Sequence, residues 1–267
     1  MNKIYIFKLK MANKYIIITG SAGFIGFHLA KLLLSEGHNI IGIDSMSEYY
    51  DVNLKIERNK FLKKYDTYKF LENDISNIDN LKSLYKNKNI EYIIHLAAQA
   101  GVRYSIDHPK TYVDSNLVGT FNVLELSKKL KIKHLLIAST SSVYGSNKKY
   151  PFHENDSTDR QMSFYAATKK SNEMMAHSYS HINKIPTTVM RFFTVYGPWG
   201  RPDMALFKFV NLISKDQEID VFNHGKMKRD FTYVDDVAIA ISLLCKIIPN
   251  GDKKLSMIVF QMLLPLE

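Results

Sequence analysis

Tyr15-Ile16-Ile17-Ile18-Thr19-Gly20-Ser21-Ala22-Gly23-Phe24-Ile25-Gly26 is the stretch that decides the fold. A short apolar, β-branched run ends at Thr19. Three glycines follow at three-residue spacing, and a helical pattern then runs through Leu34 until Gly37 ends it. Strand, glycine turn and helix in that order make an anion-binding unit, because free N–H groups at a helix N-terminus favour phosphate. Gly20 allows the tight turn. Gly23 lets the backbone approach a pyrophosphate, and Gly26 lets helix and strand pack closely. The spacing is G-x-x-G-x-x-G, not the commoner dinucleotide G-x-G-x-x-G, so the strand–turn–helix context carries the reading.

Outward from this unit, buried strands and helical patterns alternate. Asn39–Ile43 reads as a second strand closing at Asp44, and residues 52–64 as a polar helix. Tyr68–Leu71 reads as a short strand, 78–85 as a helix and Glu91–Leu96 as another strand. A long helical period over 109–130 precedes a strand at His134–Ser139. A helix over 161–181 and a strand at Thr187–Phe193 follow. Continuous apolar strands separated by helices predict an α/β fold, a doubly wound parallel sheet covered on both faces. After Arg191 the rhythm changes. A helix near 205–214, a short strand near 219–222 and a helix over 233–246 predict a smaller second lobe. The expected division is an N-terminal extension at 1–12, a dinucleotide-binding domain at 13–190 and a substrate lobe at 191–267.

Asp44 stands 18 residues after Gly26 at the end of the second strand. A carboxylate there accepts hydrogen bonds from both adenosine ribose hydroxyls and repels a 2′-phosphate, which favours NAD over NADP. Asp74, after the third strand, is placed to meet the adenine amino group or, as an ordinary loop residue, solvent.

Tyr165 and Lys169 lie at i and i+4 on one helical face. A neighbouring ammonium favours the tyrosinate and is expected to lower the phenol's pKa. A tyrosinate near neutral pH can take a hydroxyl proton while hydride leaves the same carbon. About 25 residues earlier, Ser139-Thr140-Ser141-Ser142-Val143-Tyr144-Gly145 ends a predicted strand with hydroxyls suited to holding a substrate hydroxyl. A serine- and threonine-rich turn that satisfies its own backbone is the alternative.

The chain has 267 residues, 36 Lys and Arg against 26 Asp and Glu, and a net charge of +10. Only six of the cations are arginine. The lysines are scattered, which reads as a solvated surface; nucleic-acid recognition favours clustered arginine forks. Arg58 and Arg160 have no assigned task. No apolar run approaches the roughly 20 residues of a membrane span. A single cysteine, Cys245, excludes an intramolecular disulfide and a cysteine-based zinc site, and fits a reducing cytoplasm.

Together these residues resemble the NAD-dependent epimerase/dehydratase family, the extended short-chain dehydrogenases that act on nucleotide sugars. The likeness runs from about Asn13 to Ala240 and is strongest to UDP-glucuronate 4-epimerases. Further segments carry it: His95 through Arg103, Asn116 through Thr120, Arg191 through Pro202, and Arg229 through Asp236. The resemblance implies bound NAD, held by Gly20, Gly23, Phe24, Ile25, Gly26, Asp44, Asp74, Ile75, Leu96, Ala97, Ala98, Asn116 and Lys169. It implies Tyr165 as base, Lys169 as its partner on the nicotinamide ribose, and Thr140 as the group orienting the sugar 4-hydroxyl. Ser141, Ser142, Arg103 and Thr194 would meet the sugar. Phe222 would pack on uracil, and Arg201 and Arg229 would hold carboxylate or diphosphate. A homodimer through the helices near 117–130 and 165–179 is implied as well.

A 4,6-dehydratase of this family carries Asp-Glu after the threonine, and a decarboxylase keeps an acidic residue second. Ser141 and Ser142 cannot ionise usefully, which argues against dehydration and decarboxylation and favours 4-epimerisation; the resemblance implies UDP-glucuronate as the substrate. UDP-hexoses and UDP-N-acetylhexosamines use similar sites and stay open as substrates, as does a non-catalytic NAD-binding remnant. Residues 1–10 read as an extension before Met11. The apolar end, Lys253–Glu267, reads as a shortened lobe with exposed apolar surface.

Overall fold

The computed structural model describes residues 14–77, 88–226, 229–250 and 255–260, leaving aside the side chains of Phe222 and Asn223. Seven parallel strands form the main sheet: β1 (Lys14–Thr19), β2 (Asn39–Asp44), β3 (Tyr68–Glu72), β4 (Asn89–His95), β5 (His134–Thr140), β6 (Thr187–Phe192) and β9 (Leu255–Phe260). Their order is β3-β2-β1-β4-β5-β6-β9. The chain reverses direction across the sheet between β1 and β4, and a ligand crevice opens at the carboxyl ends there.

Both faces of the sheet are apolar. Ile16, Ile18, Ile40, Ile94, Leu136 and Met190 point to one side; Ile17, Ile41, Ile43, Ile93, Leu135, Ile137 and Val189 point to the other. Alternation with period two, apolar on both phases, requires helices on both faces. On the first face lie α1 (Phe24–Ser35) and α8 (Val234–Leu244), packed through Phe27, Ala30, Leu33, Val237 and Ile241. On the second lie α5 (Gly119–Leu130) and α6 (Phe164–Asn183), through Val123, Leu124, Leu126 and Ala176. The helix α2 (Val52–Leu62) begins at Asp51, whose carboxylate accepts the Asn53 N–H at 2.9 Å as an N-cap.

The long helical period over 109–130 is not one regular helix. After α3 (Tyr104–Asp107), α4 (Pro109–Tyr112) passes through a π-helical segment, Val113–Val118, into α5. The extra residue per turn re-aims side chains, a device common at functional sites. The helix expected over 78–85 falls outside the described residues. The strand expected near 219–222 is not formed: the segment is irregular and closes in a 3₁₀ turn, Phe222–Gly225, with no neighbouring strand to complete a ladder. Two three-residue strands, β7 (Thr194–Tyr196) and β8 (Phe231–Tyr233), pair in parallel as a separate small sheet. The helix α7 (Ala205–Ile213) has no buried residue. In the apolar run near the C-terminal end, β9 pairs with β6 at the edge of the main sheet, its side chains half-buried, and the Phe260 ring lies 4.9 Å from Phe192.

Gly20 has φ +74, in the left-handed region, and a Cβ on it would meet the Ala97 backbone at 2.8 Å. A Cβ on Gly26 would stand 2.0 Å from the Gly20 carbonyl oxygen, a backbone atom that cannot yield without moving the turn. Gly26→Ala is therefore expected to cost about 1–3 kcal/mol by urea unfolding. A variant as stable as the parent would contradict this contact.

Candidate active site

The carboxyl ends of β1, β2, β4 and β5 converge on one crevice. The glycine turn leaves β1 with Gly20 N–H and Ser21 N–H donating to the Ile43 carbonyl at 2.7 and 3.3 Å. Helix α1 starts at Gly23 with no side-chain cap and no acidic residue in its first turn. Its leading N–H groups are open to an anion, so the turn fits a pyrophosphate. Asp44, buried at the end of β2, accepts the Ala22 N–H at 3.1 Å and the Met46 N–H at 3.0 Å, with Lys55 Nζ at 3.5 Å. This carboxylate closes the rim of the turn. Leu96, Ala97 and Ala98 leave β4 half-buried, and Ala97 N–H donates to Thr19 Oγ1 at 3.2 Å. Asp74 is exposed and accepts the Ser76 N–H at 2.8 Å, an Asx turn of its own. Ile75 beside it is buried, and its carbonyl accepts Asn122 Nδ2 at 2.9 Å, fastening the turn to α5.

Asn116 sits in the π segment, fully buried. Its amide accepts the Gln99 N–H at 2.8 Å and donates to the Gln99 carbonyl and Thr168 Oγ1 at 3.1 and 3.0 Å. That cross-link joins the segment after β4 to α6 between Tyr165 and Lys169. His95 completes the floor, bonded to Thr19 Oγ1 at 2.7 Å and Thr120 Oγ1 at 3.0 Å. Burial, with the Lys169 charge adding to it, pushes its pKa down to about 3, so the ring is neutral at ordinary pH.

Ser163 caps α6, accepting the Ala166 N–H at 3.1 Å, and sets Tyr165 in the first turn. Thr140 ends β5 and accepts the Ser142 N–H at 3.2 Å. Burial raises the phenol's pKa, while the Arg201 charge and the nearby Thr140 hydroxyl pull it down. The charge that favours the tyrosinate in this structure is that of Arg201. Lys169 is buried and its pKa is pushed down to about 8 by desolvation, with Glu173 opposing.

Arg201 is held by Asp203, Nε to Oδ1 at 3.0 Å and Nη2 to Oδ2 at 2.5 Å, and Tyr49 donates to the same carboxylate at 3.1 Å. Ser141 and Ser142 are half-buried and, with Val102, Tyr144, Phe152 and Met162, line an open depression beside Thr140. Thr194, in β7, is half-buried and donates its N–H to the Asp230 carbonyl at 3.1 Å. Arg103 and Arg229 are exposed, and Phe222 lies in its 3₁₀ turn. The sequence reading missed Arg58, which is fully buried and bonded to the carbonyl of Ala22. The scarcity of arginine was the one signal that pointed to it.

The sequence profile of the NAD dependent epimerase/dehydratase family matches residues 16–257, and the chain belongs to that family. It is 57% identical over 231 residues to "Protein CapI" of Staphylococcus aureus, covering 86% of this chain and 69% of that one. It is 53% identical over 240 residues to a "Probable UDP-glucuronate 4-epimerase" of Rhizobium meliloti, covering 90% and 70%. Among solved structures, UDP-glucuronic acid 4-epimerase from Bacillus cereus, in complex with UDP-glucuronic acid and NAD, superposes with TM-score 0.81. Its identity is 34%, over 92% of this chain and 77% of that one. No helix among the described residues is long and apolar enough to cross a membrane.

The Lys169 shift has a measurable sign. With a folded pKa of about 8 against 10.5 for the free side chain, the unfolded chain binds more protons across that window. Stability contributed at this position therefore rises with pH from about 8 upward. Lys169→Met should remove that rise between pH 8 and 9.5 in urea titrations; parallel curves for the two proteins would contradict the assignment.

Proposed function

We propose that the protein inverts C4 of UDP-glucuronate to give UDP-galacturonate, with NAD as a retained cofactor. The observation that carries this reading is the placement of Tyr165, in the first turn of α6, near Thr140 at the carboxyl end of β5, with α6 tied by Thr168 and Asn116 to the segment that follows β4. The relatives' names support the substrate, and so does the Ser141–Ser142 pair, which offers no ionisable group for water elimination.

NAD, when bound, would supply the acceptor and then the donor of the C4 hydride. The chain supplies everything else. Thr140 orients the 4-hydroxyl, and Tyr165, as tyrosinate, accepts its proton as the C4–H bond breaks. Burial alone disfavours that tyrosinate. Arg201 and Thr140 offset part of the penalty, and a positive charge arriving with the cofactor would lower it further. The 4-keto sugar turns over about its phosphate linkage, and Tyr165 returns the proton to O4. Lys169 would hold the nicotinamide ribose, and Asp44 the adenosine ribose. Asn116, Leu96, Ala97, Ala98, Asp74 and Ile75 shape the rest of the cofactor groove. Arg201 and Arg229 anchor carboxylate and diphosphate, so that the ring is the part free to rotate. Ser141, Ser142, Arg103 and Thr194 contact the sugar, and Phe222 covers uracil.

A homodimer through α5 and α6 completes the proposal. Val118, beside α5, Phe121 on it, and Phe164 and Met174 on α6 are exposed, and Phe121 packs edge-on against Tyr179. Sedimentation equilibrium should give twice the mass of the chain; a monomer at tens of micromolar would contradict this.

Incubation with UDP-glucuronate and NAD, followed by sugar analysis, should show galacturonate without net absorbance at 340 nm. Tyr165→Phe should lower the rate by roughly 10²–10⁴-fold at unchanged melting temperature. A near-parental rate would remove Tyr165 from its role, and steady NADH release would mark a dehydrogenase instead.

A further inference from the structure

Arg58 is among the most buried side chains of the protein, at 0% exposure. From α2 its Nη1 donates to the Ala22 carbonyl at 3.0 Å and to the Tyr50 hydroxyl at 3.0 Å. Its Nη2 donates to the Trp199 carbonyl and, at 3.3 Å, to the Gly200 carbonyl. Among the described residues no carboxylate pairs with it, and its Nε has no partner. Burying a guanidinium without a carboxylate is costly, and an apolar side chain would fill the space at lower cost. What an apolar side chain cannot do is bind the carbonyls of two separate loops at once.

Those two loops are the ones that matter. Ala22 lies inside the glycine turn, and its N–H is held by Asp44. Trp199 and Gly200 immediately precede Arg201. Trp199 has φ +58, an uncommon conformation for a bulky residue, which persists only when its surroundings enforce it. The enforcement comes from Arg58 on the Trp199 and Gly200 carbonyls and from His28, whose Nε2 lies 2.9 Å from the Pro198 carbonyl oxygen. An unbroken series of bonds thus runs from Asp44 through Ala22 and Arg58 to the backbone that aims Arg201.

We propose that Arg58 is a positioning residue that couples dinucleotide binding at the glycine turn to the placement of Arg201. This rests on the reading of the turn as an NAD site. When Asp44 and Ala22 engage a dinucleotide, Arg58 carries the adjustment to residues 199–201. The cation opposite Tyr165 is then set only once cofactor is in place. Lysine cannot substitute, because one ammonium does not span the Ala22 and Trp199 carbonyls as a fork does.

Trp199 is the chain's single tryptophan, part-exposed and 5.6 Å from the Phe27 ring, and so reports on the loop directly. The test titrates NAD into the nucleotide-free full chain, with binding read by calorimetry and loop response by Trp199 emission. The parent protein should show a saturable emission change that follows the calorimetric isotherm. Arg58→Lys should bind NAD roughly 5–150-fold more weakly and lose the emission change at saturation. Tyr50→Phe removes one Arg58 partner and decides the matter if Arg58→Lys does not fold: a reduced emission change at unchanged melting temperature supports the coupling, and a full one overturns it. Binding by the parent with silent Trp199, or an Arg58→Lys response equal to the parent's, overturns the coupling alone. Absence of NAD binding in the folded parent overturns the proposed function and the coupling with it.

Discussion

Glu173 and Arg191 face each other in the interior with both charges out of water. The guanidinium donates through Nε and Nη2 to the two carboxylate oxygens at 2.9 Å each. Ser139 Oγ donates to the same carboxylate at 2.7 Å, and Arg191 Nη1 reaches the Tyr144 hydroxyl at 3.1 Å. Four pieces of chain meet there: the end of β5, the 3₁₀ turn after it, the middle of α6, and β6. Thr140 lies on the first and Tyr165 on the third, so this pair ties together the elements that carry the two proposed reacting side chains. Replacing a buried ion pair by apolar groups is often neutral, but removing one member strands a charge at a cost of about 3–5 kcal/mol. The pair is therefore a geometric constraint more than a source of net stability.

Around that anchor, burial and charge act in opposition on the phenol. Desolvation favours neutral Tyr165, and Arg201 favours its anion. Arg201 is itself part-neutralised by Asp203, so the field at Tyr165 depends on how that carboxylate, and any arriving anion, shares the guanidinium. The charge of Lys169 is felt by neutral His95 and opposed by Glu173. The site is a cation-poor protein interior in which a few fixed guanidinium groups set the electrostatics, although the chain as a whole carries 36 basic residues.

Local spacing made part of this legible. The β-branched run before Gly20 and the apolar strands up to Thr187–Phe193 predicted the parallel sheet, because each strand carries its own burial pattern. The turn, Asp44, Tyr165, Lys169 and Thr140 were visible because short-range geometry dictates those residue types. What was illegible depends on partners distant in sequence. β9 forms where β6 offers an edge, and β7 and β8 are three residues each and need one another. The π segment answers to Gln99 and Thr168 as much as to its own sequence. Arg58 reads as one more polar residue on a polar helix until Trp199, 141 positions away, is seen against it. Arg201 was equally hard to read, because its charge reaches Tyr165 from a loop 36 positions away.

The central claim is that a hydroxyl-bearing carbon is oxidised and reduced in place, with Tyr165 handling only the oxygen-bound proton. UDP-glucuronate deuterated at C4 tests it most directly, by mass and magnetic resonance analysis of the product formed in ordinary water. The account predicts UDP-galacturonate that keeps its deuterium at C4. Product in which solvent hydrogen has replaced the label at C4 would contradict it.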